Sequence, residues 1–225
     1  MPRARAANGS YGENRLSIQT LVAAAAVLAA VSLPARAEPL RIVALGDSLT
    51  AGYGLAAPEA FTTRLEAALR ERGHDVVVVN AGVSGDTASD GLARVDWSVG
   101  DDADGVIVEL GANDALRGVD PAITRDALDR LLAHLGERGL PVLLAGMRAP
   151  PNLGSDYGKA FDPIYAELAM ERGAILYPFF LDGVAARPDL NQPDGIHPNA
   201  AGVAVIVERI LPSVEALIAE AKAPN

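Results

Sequence analysis

The fold is decided in residues 40–50, which read Leu-Arg-Ile-Val-Ala-Leu-Gly-Asp-Ser-Leu-Thr. The first six of these are almost all apolar, and a glycine followed by polar side chains comes directly after them. Such a run is typical of a strand that is buried on both faces of a parallel sheet. Four more runs have the same character and lie at residues 76–79, 105–110, 141–145 and 174–177. The five runs together predict a sheet that is covered on both faces.

Longer segments with helical spacing separate these runs and lie at residues 58–72, 87–98, 121–138, 157–172 and 199–221. Segment 121–138 shows the pattern: Pro121 suits a first helical position, leucines follow at intervals of three and four, and Gly136 and Gly139 end the stripe. Strands that alternate with helices of this length imply right-handed crossovers. We therefore predict an α/β fold, a three-layer α/β/α sandwich with a five-stranded, mainly parallel sheet, formed by one domain over residues 38–225.

The N-terminal segment has the pattern of an export signal. Arg3, Arg5 and Arg15 precede an apolar run over residues 21–31, and an Ala-Arg-Ala sequence ends at Ala37. A basic stretch, a short apolar core and an Ala-x-Ala site are typical of a signal peptide that is cleaved after export. We expect residues 1–37 to be this signal, which predicts a periplasmic or secreted protein. An uncleaved membrane anchor is the alternative.

Composition excludes several classes of protein. The chain has 225 residues, of which 50% are hydrophobic and 21% charged, as in globular proteins. Its formal net charge of −10 argues against a nucleic-acid partner. Cysteine is absent, which excludes disulfides, thiolate metal sites and a cysteine nucleophile. The three histidines are far apart in the sequence, so no metal site is expected.

Four polar loops follow the predicted strands or precede the last helix, at residues 46–54, 80–87, 111–114 and 194–199. In a sheet of this kind, ligands bind beyond the carboxyl ends of the strands, so these loops are expected to meet at one edge. Nucleophilic acyl transfer needs a serine hydroxyl, a histidine base, a carboxylate that orients the histidine, and donors for the oxyanion. The four loops contain all of these groups.

The same loops resemble the sequence blocks of the SGNH (GDSL) hydrolases, and most closely the bacterial branch of thioesterase I, lysophospholipase L1 and arylesterases. The resemblance covers residues 40 to about 217 and implies a flavodoxin-like fold without a cofactor or metal. By this resemblance Ser48 of Gly-Asp-Ser-Leu is the nucleophile, and His197 and Asp194 of Asp-Gly-Ile-His are the base and its orienting acid. The oxyanion hole would be formed by the amides of Ser48 and Gly85 and by the side chain of Asn113.

Each of these residues also has a purely structural interpretation. Gly-Asp-Ser is a common turn after a strand, and Asn113 can cap a local segment. Gly85 can be a turn residue, and Gly82 is then the alternative candidate for the oxyanion hole. Asp194 and His197 can form a local loop hydrogen bond. Four other titratable residues are expected to be structural or to support loops, namely Asp47, Asp114, His74 and His134.

The expected function is hydrolysis of carboxylic esters through an acyl-enzyme. The resemblance implies aryl and short-to-medium acyl esters, with lysophospholipids and acyl thioesters as further substrates. Tyr53, Pro151, Asn152 and Leu153 are the residues that we expect to bind substrate. We also expect a monomer with transient contact to membrane lipid. Two alternatives stay open: a carbohydrate-ester deacetylase of the same superfamily, and a binding module without catalysis.

Overall fold

The structure is a computed structural model that describes residues 1, 2, 4 and 38–223. The chain divides into two units, Met1–Glu38 and Pro39–Asn225. The fold below belongs to the second unit. Apart from three residues, the predicted signal peptide lies outside the described residues, as does the alternative anchor. Among the described residues, no helix is both long and apolar enough to cross a membrane.

The sheet consists of β1 (Leu40–Gly46), β2 (Val76–Gly82), β3 (Gly105–Glu109), β4 (Val142–Ala145) and β5 (Ile175–Tyr177). The strands are all parallel and lie in the order β2-β1-β3-β4-β5. The predicted parallel sheet is therefore confirmed, with small shifts at the strand ends. Because the chain moves from β1 to β2 and then crosses to the other side of β1 for β3, the order reverses between β1 and β3. A crevice at this reversal is where a ligand binds in such sheets.

The described α-helices are α1 (Ser48–Ala51), α2 (Phe61–Glu71), α3 (Ala88–Ala93), α4 (Val95–Ser98), α5 (Ala112–Leu116), α6 (Pro121–Glu137), α7 (Ser155–Phe161), α8 (Ile164–Arg172) and α9 (Ala200–Ala221). Short 3₁₀ turns lie at Ala57–Glu59 and Pro151–Leu153. Helix α2 packs on α9, and α6 packs on both α3 and α8. These two groups form the outer layers of the sandwich, and the strand residues between them are largely buried.

Three of the predicted helices are interrupted. Segment 58–72 has extended backbone at Ala60, between the first 3₁₀ turn and α2. Segment 157–172 is divided between α7 and α8 at Pro163, which has no N–H to continue the ladder. Segment 87–98 is divided at Arg94, whose φ of −114° ends α3. The guanidinium of Arg94 turns back toward the carboxyl end of the sheet, where its contacts are part of the site.

Candidate active site

Ser48 stands at the first position of α1, directly beyond the end of β1. Asp47 caps this helix, because its Oδ1 accepts a hydrogen bond from the Leu49 amide at 2.9 Å. Gly46 precedes the cap, and a Cβ at this position would lie 2.1 Å from Thr50 Oγ1. A glycine is therefore required for the tight entry into α1. The sharp strand-to-helix turn presents the Ser48 hydroxyl at the sheet edge.

Asp194 and His197 come from one loop that the aspartate itself organises. Asp194 Oδ1 accepts hydrogen bonds from the amides of Ile196 and His197, both at 3.0 Å. Gly195 has a φ of +77°, a region that glycine enters without steric cost. A hydrogen bond connects this loop to the segment that follows α1, because Gln192 Nε2 donates to the backbone carbonyl of Tyr53 at 2.7 Å.

The three side chains form a continuous hydrogen-bonded chain. His197 Nε2 lies 2.9 Å from Ser48 Oγ, and His197 Nδ1 lies 2.7 Å from Asp194 Oδ2. A proton on Nδ1 is donated to the carboxylate, which leaves Nε2 as an acceptor for the serine hydroxyl. The hydrogen bonds from the His197 amide and ring lower the pKa of Asp194 to about 2. The carboxylate is therefore ionised at neutral pH.

Asn113 lies in α5, beyond the end of β3, and faces the same crevice. Its Nδ2 donates to Asp47 Oδ2 and to the backbone carbonyl of Asp86, both at 3.0 Å. Gly111 precedes α5 with a φ of +106°, and a Cβ there would lie 2.1 Å from the hydroxyl of Tyr165. That hydroxyl donates to the Leu110 carbonyl at 2.9 Å and so stabilises the loop that leads into α5. The orientation of the Asn113 amide is thus set by Asp47 and by the loop after β2.

The loop after β2 is held by two arginines. Arg94 donates to Asp86 Oδ2 at 2.6 Å and to the Gly46 carbonyl at 2.9 Å, which joins this loop to the end of β1. Arg117 donates to the Gly85 carbonyl at 2.7 Å. The two candidate glycines differ in their amides, because Gly82 N donates to the Asn80 side chain, whereas Gly85 N has no acceptor among the described residues. Gly82 serves close packing instead, since a Cβ there would lie 2.3 Å from the Ala51 nitrogen.

Two buried carboxyl groups lie next to helix α1, which carries Ser48. Asp47 and Glu109 are both fully buried, and Glu109 Oε2 accepts a hydrogen bond from Thr50 at 2.7 Å. Burial raises the pKa of Asp47 to about 6. Burial, and then the neighbouring charge of Asp47, raise the pKa of Glu109 well above its usual value. Burial therefore favours the protonated form of the Glu109 carboxyl.

A groove of about 460 Å³ lies at this site, and Ser48, Asn113 and His197 all line it. The rest of its lining is mostly apolar and includes Leu116, Met147, Pro150, Phe179, Leu181 and Ile196.

The four residues predicted to bind substrate lie in different places. Pro151 lines the groove, whereas Asn152 and Leu153 follow it in the 3₁₀ turn without lining the groove. The ring of Tyr53 packs against the ring of His197, with 4.6 Å between the ring centres.

Several residues that build the site cannot be recognised in the sequence. Arg94 lies in a segment whose spacing predicts a continuous helix, and no motif marks Arg117. Glu109 did carry a signal, because a glutamate inside an otherwise apolar buried strand needs a structural partner. Among the described residues, no group of His, Cys, Asp or Glu side chains is placed to hold a metal ion.

A hydroxyl, an imidazole and a carboxylate joined in this order are an arrangement that recurs in serine hydrolases of unrelated folds. Residues 44–205 match the model of the GDSL-like lipase/acylhydrolase family. The chain therefore belongs to this family, as the resemblance implied, and it is a serine esterase, a hydrolase that acts on ester bonds.

Individual relatives agree with this assignment. The chain is 39% identical to an arylesterase of Vibrio mimicus over 159 residues, which are 70% of this chain and 80% of the relative. It is 37% identical over 186 residues to the Escherichia coli K12 thioesterase 1/protease 1/lysophospholipase L1, covering 79% and 84% of the two chains. The crystal structure of AlinE4, an SGNH-hydrolase family esterase, is 49% identical, with a TM-score of 0.68, over 80% of this chain and 96% of AlinE4.

Proposed function

We propose that Ser48, His197 and Asp194 are the catalytic triad of this esterase. The observation that carries the proposal is the unbroken chain from Ser48 Oγ through His197 to Asp194, with links of 2.9 and 2.7 Å. In the reaction His197 Nε2 accepts the Ser48 proton as Oγ attacks the acyl carbonyl, and the ionised Asp194 stabilises the imidazolium. His197 then protonates the leaving alcohol. Water, activated by the same nitrogen, releases the acyl group from Ser48.

The oxyanion hole in this proposal consists of the Ser48 amide, the Gly85 amide and Asn113 Nδ2. Gly85 is favoured over Gly82 because its amide is not used by another protein group among the described residues. Asn113 donates to Asp47 and to the Asp86 carbonyl, so the oxyanion must share or replace one of these acceptors. A preoriented donor of this kind acts most strongly on the charge that develops in the transition state.

The substrate class that the groove favours is an ester with a short-to-medium acyl chain. The apolar lining supports binding of alkyl or aryl groups, and it argues against the sugar esters of a carbohydrate-ester deacetylase. Leu116 and Ile196 line the groove and are about half exposed, as is Tyr53 beside His197. We include lysophospholipids and acyl thioesters among the candidate substrates, with transient contact of this rim to lipid.

The triad is tested by replacing each side chain and measuring hydrolysis of 4-nitrophenyl butyrate. Ser48→Ala and His197→Ala should each lower kcat by roughly 10³-fold or more, because the nucleophile and base act as one unit. Ser155→Ala is the matched control, since Ser155 is exposed at the start of α7. Activity of Ser48→Ala within tenfold of wild type, with an unchanged fold, would contradict the proposal and assign the nucleophile to another residue.

We further propose that the enzyme is exported and acts as a monomer after loss of residues 1–37. The basis for export is the sequence pattern that ends at Ala37. N-terminal sequencing of protein recovered from the periplasm of a bacterial host should begin at Glu38. Retention of the first 37 residues would indicate an anchor, and sedimentation of the recovered protein tests the monomer.

A further inference from the structure

The groove contains one charged side chain that the esterase mechanism does not use. Arg148 lines it beside Met147 and Ala149, in the segment that follows β4. Apart from His197 and Arg148, the described residues that line the groove are apolar or neutral. A guanidinium carries its charge at every working pH. The groove that receives the ester therefore has a fixed positive charge in its wall.

The Arg148 guanidinium is held in place by an aromatic ring rather than by a carboxylate. Its Cζ lies 4.9 Å from the ring centre of Phe179, which also lines the groove. Arg148 forms no ion pair with any of the described residues. Asp162 lines an adjoining cavity together with Arg148, and its Oδ1 accepts a hydrogen bond from the Ala149 amide. The N–H groups of Arg148 are thus available to a bound ligand.

We propose that Arg148 is an anion subsite that makes the enzyme prefer esters with a negatively charged group. The subsite rests on the proposed function, since it selects among substrates that Ser48 would cleave. A carboxylate, phosphate or sulfonate on the substrate matches the planar donor face of the guanidinium. The anion can be carried by the acyl chain or by the alcohol, and both kinds of ester share this chemistry.

The expected preference is moderate, because Arg148 is exposed and water screens its charge. Exposed ion pairs contribute up to about 1 kcal/mol, which corresponds to about a fivefold effect on kcat/KM. The chain has a net charge of −10, so its overall field repels anionic substrates. A preference for an anionic ester would therefore have to come from a local positive group, and Arg148 is that group in the groove.

Two matched substrate pairs distinguish the source of the anion. On the acyl side, 4-nitrophenyl hydrogen adipate is compared with 4-nitrophenyl heptanoate, which has a similar length and no charge. On the alcohol side, the butyrate ester of 4-hydroxybenzenesulfonate is compared with 4-nitrophenyl butyrate. The kcat/KM ratio of anionic to neutral ester is measured in wild type, Arg148→Gln, Arg148→Lys and Arg130→Gln. Arg130 is an exposed arginine of α6 and serves as the control. Intrinsic reactivity cancels because each ratio is compared between variants.

The proposal predicts that Arg148→Gln lowers this ratio about fivefold in at least one pair, that Arg148→Lys retains most of it, and that salt weakens it. The pair that responds identifies the side of the ester that carries the anion. A ratio within 1.5-fold of wild type in both pairs, or an equal loss on charged and neutral esters, would overturn the subsite. Failure of the proposed function is separate, because it would appear as wild-type enzyme whose Ser48 does not react with a fluorophosphonate.

Discussion

Asp47→Asn is an informative single substitution, because Asp47 accepts hydrogen bonds from helix α1, which carries Ser48, and from Asn113. Asp47 is fully buried, and its two oxygens accept hydrogen bonds from the Leu49 amide and from Asn113 Nδ2. Asparagine has nearly the same shape but cannot ionise, and it offers one oxygen acceptor in place of two. We expect the variant to fold, to lose part of its kcat, and to lose the dependence of stability on pH that Asp47 contributes.

The magnitude follows from the pKa of Asp47, which burial raises from 3.8 to about 6. Since the folded pKa lies above the unfolded one, the folded protein binds this proton more tightly. The contribution of the Asp47 proton to the free energy of unfolding is fully present below about pH 4, and it is lost as the pH rises through 6. A shift of two units corresponds to about 3 kcal/mol, and roughly half of this is lost between pH 5 and pH 8. Between pH 5 and pH 8, wild type should therefore lose roughly half of this 3 kcal/mol in its free energy of unfolding relative to Asp47→Asn.

Urea unfolding of both proteins at pH 5, 6, 7 and 8 measures the difference directly. Asp156→Asn is the matched control, because the Asp156 side chain is almost fully exposed. The difference between wild type and Asp47→Asn should fall with rising pH, while the difference between wild type and Asp156→Asn stays constant. A difference for Asp47 that is constant over the whole range would refute the claim that burial keeps this carboxyl partly protonated.

Three further substitutions test other parts of the site. Asn113→Ala should lower kcat roughly 10²–10³-fold with KM within threefold, if its amide binds the oxyanion; kinetics per titrated active site decide this, and a kcat within threefold of wild type would make Asn113 a loop residue. Asp194→Asn should lower kcat/KM by roughly 10³-fold, because the neutral amide no longer orients and stabilises His197; pH–rate profiles that overlay those of wild type would contradict it. Gly111→Ala should destabilise by more than about 2 kcal/mol, because the new Cβ meets the Tyr165 hydroxyl at a φ of +106°; an unchanged melting temperature would count against that packing.

The sheet could be predicted because its inner strands β1, β3 and β4 are largely buried on both faces. A segment such as 142–145 is apolar along its whole length, so the pattern is unambiguous, and the alternation with helices fixes a parallel topology. The helix ends were less predictable. Arg94 stands at the end of α3, and its guanidinium donates to the carbonyl of Gly46, which is 48 residues away in the chain. Local periodicity contains no information about such contacts.

The residues of the candidate site also fall into a group that the sequence marks and a group that it does not. Ser48, Asn113 and His197 could be singled out because they lie in short loops with a specific order of residue types. Their supporting residues could not be identified in this way, since Arg94 and Glu109 act through tertiary hydrogen bonds and burial. The groove was predicted only loosely, because the side chains that line it come from five separate segments of the chain, whose spacing is set by the sheet.

The central claim is that Ser48 is the nucleophile of this esterase, and covalent labelling tests it most directly. A fluorophosphonate reacts with an activated serine and leaves a stable phosphonyl group on Oγ. Intact-mass measurement of folded wild-type protein should show one adduct, peptide mapping should place it on Ser48, and Ser48→Ala should show none. A folded wild-type protein that gains no mass, or an adduct on another residue that persists in Ser48→Ala, would contradict the account.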